Sequence, residues 1–182
     1  MNKELLDGIN RKDEVVGVSM KPKLIIIRGN SGSGKSTIAR EVRDRLGENT
    51  MLIPQDVVRR DILHVKDRIG NPTISLIPKM VLHGKEAGLD VVLEGIFSKK
   101  LYGEMLKELI GEFGENVFVF YMDISFDETL KRHQTKPNKN EYGAEKMKEW
   151  WLEKDYLDVP GEKTIPENYS VEEAVNYILD II

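Results

Sequence analysis

The segment Leu24-Ile25-Ile26-Ile27-Arg28-Gly29-Asn30-Ser31-Gly32-Ser33-Gly34-Lys35-Ser36-Thr37 constrains this chain more than any other. An aliphatic run enters a glycine-rich loop, and an amphipathic stretch carrying Ile38, Ala39, Val42 and Leu46 leaves it. The spacing G-x-x-x-x-G-K-S over residues 29–36 reads as strand, phosphate loop and helix. Such a loop turns its backbone N–H groups onto phosphate oxygens, which demands unusual backbone angles and close approach. Gly29, Gly32 and Gly34 allow both. The following helix adds the positive end of its dipole. Lys35 then supplies a compact charge for the β- and γ-phosphates, and the Ser36 hydroxyl a ligand for Mg²⁺. Asn30, Ser31, Ser33 and Thr37 complete the cradle. A nucleoside triphosphate is the expected ligand.

Composition narrows the setting. The 182 residues suit one domain with a proper core, and 40% apolar with 32% charged residues suits a globular protein. A net charge of −4 gives no general attraction for nucleic acid. Without cysteine there is neither a disulfide nor a thiolate metal site. Residues 1–20 mix charges and lack an apolar signal core, and no apolar run approaches membrane-spanning length, so the expectation is cytoplasmic.

The expected organisation is an extension over residues 1–22 and one domain over 23–182, with a lid at about 132–150. Strands are expected at 23–28, 50–54, 91–96, 117–122 and 164–166. Val91 to Ile96 is apolar on both faces, as a central parallel strand is, and ends in Glu94. Helices are expected at 35–46, from a cap at Ser75 to Glu86 with Pro78 in the first turn, along Tyr102 to Phe113, and over 143–156 with Met147, Trp150 and Trp151 as its apolar stripe. Capping boxes at Ser125–Glu128 and Ser170–Glu173 open two more. Residues 132–142 are basic and without aliphatic anchors, which suits a mobile flap, and His133 reads as a surface residue of it. Alternating strands and helices give a three-layer α/β domain with a mostly parallel sheet.

A phosphate loop alone serves GTPases, motor ATPases and kinases. The nearest string to a guanine reader, Asn138-Lys139-Asn140-Glu141, ends in Glu and falls in the flap, and Leu93-Glu94-Gly95 lacks the second carboxylate typical of motors. A kinase needs a base, cations around the phosphoryl group and a water-excluding lid. Asp56, just past the second strand, is the candidate base, with a helix N-cap as its structural alternative. Arg59 or Arg60, one turn later, is placed to hold the acceptor or the phosphoryl group, and Arg59 is preferred. Glu94, a lone carboxylate at a buried strand end, is the candidate for holding the Mg²⁺ shell through water or for binding the acceptor. Arg132 and Lys136 supply lid charges, and Arg132 is also able to stack on adenine.

The whole pattern resembles the small phosphate-loop (P-loop) kinases that include the zeta toxins, chloramphenicol phosphotransferase and the kinase half of phage polynucleotide kinase. The resemblance rests on Gly29 to Thr37, on Asp56-x-x-Arg59, and on Leu130-Lys131-Arg132-His133 with Trp150-Trp151 downstream. It implies ATP or GTP with Mg²⁺ as donor, a five-stranded parallel sheet ordered 2-3-1-4-5, and residues 164–168 near the base. Lys136 stands where a second lid arginine is expected, giving a point charge without the bidentate fork. The expected acceptor is a hydroxyl-bearing small molecule. Polynucleotide or nucleoside kinase activity, and a non-enzymatic nucleotide-dependent switch, are the alternatives.

Overall fold

The computed structural model describes residues 21–135 and 143–182. The extension expected at 1–22 therefore lies outside the described residues except for its last two, as does Lys136. Five strands, β1 (Leu24–Gly29), β2 (Thr50–Pro54), β3 (Asp90–Gly95), β4 (Val117–Asp123) and β5 (Lys163–Pro166), form one sheet in the order β2-β3-β1-β4-β5. Every neighbouring pair is parallel. The expected fold class and strand order are those observed.

Helices cover both faces, which is why the central strands are apolar throughout. The face bearing Leu24, Ile26, Ile53, Leu93 and Val119 packs under α2 (Thr73–Glu86) and α3 (Lys99–Phe113). The face bearing Ile25, Ile27, Val92, Phe120 and Met122 packs under α1 (Lys35–Leu46) and α6 (Val171–Leu179). All six residues of β1 are buried. Both exits from the middle of the sheet, into the loop after β1 and the loop after β3, open at the same carboxyl edge.

Four helical boundaries depart from the sequence reading, one of them the start of α3 at Lys99, three residues before Tyr102. The Thr73 N–H donates to Asn71 Oδ1 at 3.0 Å, so α2 begins two residues before Ser75 and Pro78 falls in its second turn. Arg132 and His133 belong to α4 (Phe126–Gln134) instead of a flap, and His133 is buried. Ser125 caps that helix by accepting the Glu128 N–H at 3.3 Å, but the Glu128 carboxylate turns to Arg132 at 2.9 Å and leaves the box half made. The helix expected over 143–156 is only α5 (Ala144–Glu149). Beyond it the chain takes a left-handed step at Lys154 (φ 45) and runs as an irregular arm from residue 150 to 162. Ser170–Glu173 is a complete capping box.

Candidate functional site

The phosphate loop follows β1 directly. Gly29 has φ 145, and a Cβ there would stand 2.8 Å from Met122 Cβ, so only glycine fits between the strands. Gly34, at φ 100, turns the chain into α1. Lys35 is 7% exposed and its Nζ donates to the Asn30 carbonyl at 2.8 Å. The ammonium is thus held back against the loop, at the N-terminus of α1.

Register places the carboxylates. Glu94 pairs with Ile27 of β1 and with Pro54 of β2, which puts it at the carboxyl edge between the two strands. It is buried, and that burial pushes its carboxyl up from 4.5, against the pull of Lys35 and a hydrogen bond from Ser36. Two residues beyond Pro54 comes Asp56, close enough for its charge to raise Glu94 further. Asp56 makes no side-chain cap to the segment it precedes, so the N-cap alternative does not hold. Its side chain is 52% exposed, open to a partner in solution.

That segment, Val57–Ile62, is π-helical, with the Leu63 N–H reaching the Val58 carbonyl at 3.0 Å. The wide turn swings Arg59 inward. Its Nη2 donates to Asp56 Oδ1 at 2.8 Å and its Nη1 to the Val65 carbonyl at 3.2 Å, with the side chain only 12% exposed. Arg60 is 47% exposed and 3.5 Å from the same oxygen. Both arginines thus reach Asp56, Arg59 being the closer and the more buried of the two. Immediately before Asp56, Gln55 is buried and donates to the Tyr102 hydroxyl at 3.0 Å, which fixes the strand end that presents the carboxylate.

Arg132 approaches the loop from the other side. Its Nη1 donates to the Ser33 carbonyl at 2.9 Å, its Nη2 to the Glu167 carbonyl at 2.9 Å, and its Nε to Glu128 at 2.9 Å. Beside it lies a cavity of about 380 Å³ lined by Gly34, Thr37, Arg132, Ile165, Tyr169 and Val171. The turn between β5 and α6 closes it, where the resemblance puts a base. No cluster of three or more acidic or histidine side chains able to hold a metal occurs among the described residues. Ser36 and Glu94, in mutual contact at the loop mouth, nevertheless fit Mg²⁺, which keeps most of its waters and takes few protein ligands.

The family model for the zeta toxin matches residues 8–144. The chain belongs to the zeta toxin family. Its fold is shared with the APS kinase of Mycobacterium tuberculosis, solved with AMPPNP and APS, at a TM-score of 0.71 and 16% identity, covering 88% of this chain and 97% of that one. A gluconokinase from Sinorhizobium meliloti 1021 gives a TM-score of 0.61 at 16% identity over 88% and 91% of the two chains. A sugar kinase from Janibacter sp. HTCC2649 gives 0.64 at 16% identity over 87% and 93%. These likenesses establish a P-loop kinase fold for this zeta toxin family member. Among curated proteins none matches it.

Sequence reasoning missed one part of the site. Arg28, read only as a strand residue, is wholly buried and paired with Asp155 and Glu162. The available signal was a cation between four aliphatics and the loop, but no local spacing names partners that far along the chain.

Proposed function

We propose that this protein is a kinase that moves the γ-phosphoryl group of ATP to a hydroxyl of a small-molecule acceptor, with Asp56 as general base. One observation carries the reading. The parallel register sets a half-exposed carboxylate, Asp56, with Arg59 bonded to it, at the carboxyl edge beside Glu94, which in turn lies against Lys35 and Ser36 of the phosphate loop. The acceptor hydroxyl gives its proton to Asp56 as its oxygen bonds to the γ-phosphorus, while the bond to the β-phosphate oxygen breaks and ADP leaves. Lys35 and Arg132 are placed to take up charge on the phosphates, with Arg132 bordering the base cavity. Arg59 keeps Asp56 turned to the acceptor side. Ser36 and Glu94 would hold Mg²⁺, which neutralises the β- and γ-oxygens when bound. The AMPPNP held by the APS kinase of like fold favours ATP as donor.

A screen of hydroxyl-bearing metabolites, nucleosides and oligonucleotides for ATP-dependent phosphorylation tests the reading. Asp56→Asn is expected to lower transfer by about 10²-fold or more and leave ATP affinity within about threefold. Full activity of Asp56→Asn would remove the base.

A further inference from the structure

Two side chains next to the phosphate loop do something that nucleotide binding alone does not require. Arg28 is 0% exposed. Its Nη2 donates to the Phe97 carbonyl at 2.9 Å and to Asp155 at 2.8 Å, its Nη1 to Glu162 at 3.1 Å, and its guanidinium lies 5.5 Å from the Tyr121 ring centroid. The Glu162 carboxylate in turn accepts the N–H groups of Leu157 and Asp158, at 2.8 and 3.0 Å. Asn30 is 4% exposed, and its amide grips one residue in both directions. Nδ2 donates to the Leu152 carbonyl at 2.6 Å, and Oδ1 accepts the Leu152 N–H at 2.9 Å.

Leu152, Asp155, Leu157, Asp158 and Glu162 all lie in the arm of residues 150–162, whose residues 151–162 belong to no helix or strand. The arm joins α5 to β5, whose Ile165 lines the cavity beside Arg132. A buried ion pair is a poor source of net stability, because desolvation offsets most of the attraction. What it fixes well is geometry. Asn30 is the point of junction, since its carbonyl takes the Lys35 ammonium at 2.8 Å while its side chain holds Leu152.

We propose that Arg28 and Asn30 are positioning residues that hang the arm of residues 150–162 on the phosphate loop, so that seating a triphosphate and docking the arm are one linked event. The proposal rests on the loop being an ATP site. Linkage is reciprocal: if nucleotide tightens the arm, loosening the arm must weaken nucleotide binding by the same factor.

The test uses the full chain and Mg²⁺–AMPPNP, with binding measured by titration and arm order by amide hydrogen exchange. In the wild type, AMPPNP should slow exchange at the Leu152, Leu157 and Asp158 amides. Asn30→Ala should speed basal exchange at Leu152 and weaken AMPPNP by about tenfold. Asp155→Asn touches no atom of the phosphate loop, yet it should weaken AMPPNP by about threefold or more and speed exchange along the arm. Unchanged arm exchange in the AMPPNP-bound wild type overturns the proposal. So does weakened binding in Asn30→Ala with none in Asp155→Asn, which would make Asn30 a local loop residue. A wild type that fails to bind AMPPNP at all sinks the kinase reading instead.

Discussion

Glu94 shows how one buried carboxylate links pH, metal and stability. Burial raises its folded-state pKa above 4.5, so the native protein binds this proton more tightly than the unfolded chain. Its protonated form favours folding below pH 4.5, and that contribution is lost as pH rises through the raised value. Glu94→Gln should therefore melt higher than the wild type at neutral pH, with the gap closing towards pH 4, as thermal melts across pH would show. The same variant should bind Mg²⁺–AMPPNP less tightly at neutral pH if, as proposed, Glu94 helps hold the metal. Arg28 works with the opposite sign. Removing it strands Asp155 and Glu162 facing a buried space, and Arg28→Ala should cost about 3–5 kcal/mol in denaturant unfolding. Residues of the first kind were legible in the sequence, since Lys35, Ser36, Asp56 and Glu94 each sit at a fixed offset from a strand end. Arg28 was not, because its partners stand 127 and 134 residues away and no periodicity records them. The choice between Arg59 and Arg60 depended on a π-turn, which rotates side chains differently from the α-helix that spacing assumes.

At the level of elements, strong local chemistry matched the fold and weak chemistry did not. The α1 bounds and the Ser170–Glu173 box are as the sequence implies, because loop glycines and reciprocal caps act within a few residues. Ser170→Ala should destabilise by about 1 kcal/mol, visible as a lower melting temperature, since α6 is short and its first turn depends on that oxygen. The α5 region went the other way. Its Trp150-Trp151 pair suggests a stripe, but Trp151 packs edge-on to Phe126 with centroids 5.2 Å apart, and the tie of Leu152 to Asn30 pulls the chain out of helix. The β3 exit is equally tight. A Cβ on Gly95 would meet Gln55 Cβ at 2.6 Å and Phe97 Cε2 at 2.8 Å. Gly95→Ala is expected to lower stability by about 1–3 kcal/mol and to disturb the strand end that presents Asp56, so transfer should fall more steeply than nucleotide affinity.

For the whole molecule, strand order followed from the family resemblance and its parallel sense from alternating strands and helices; the tertiary ties across the carboxyl edge did not. Nucleotide should add a further bridge between α1, Arg132 of α4 and the β5–α6 turn, which surround one cavity. Mg²⁺–AMPPNP at 100 times its Kd should therefore raise unfolding free energy by about 2.7 kcal/mol, read as an upward shift in melting temperature, and the shift should shrink in Asn30→Ala at equal ligand. The order in which the chain leaves the ribosome gives the Arg28 cluster a last consequence. The strand carrying that cation emerges long before the carboxylates at 155 and 162 that neutralise it. Until residues 155–162 are made, the nascent sheet has an uncompensated charge at its centre, so closing the core should wait on the arm.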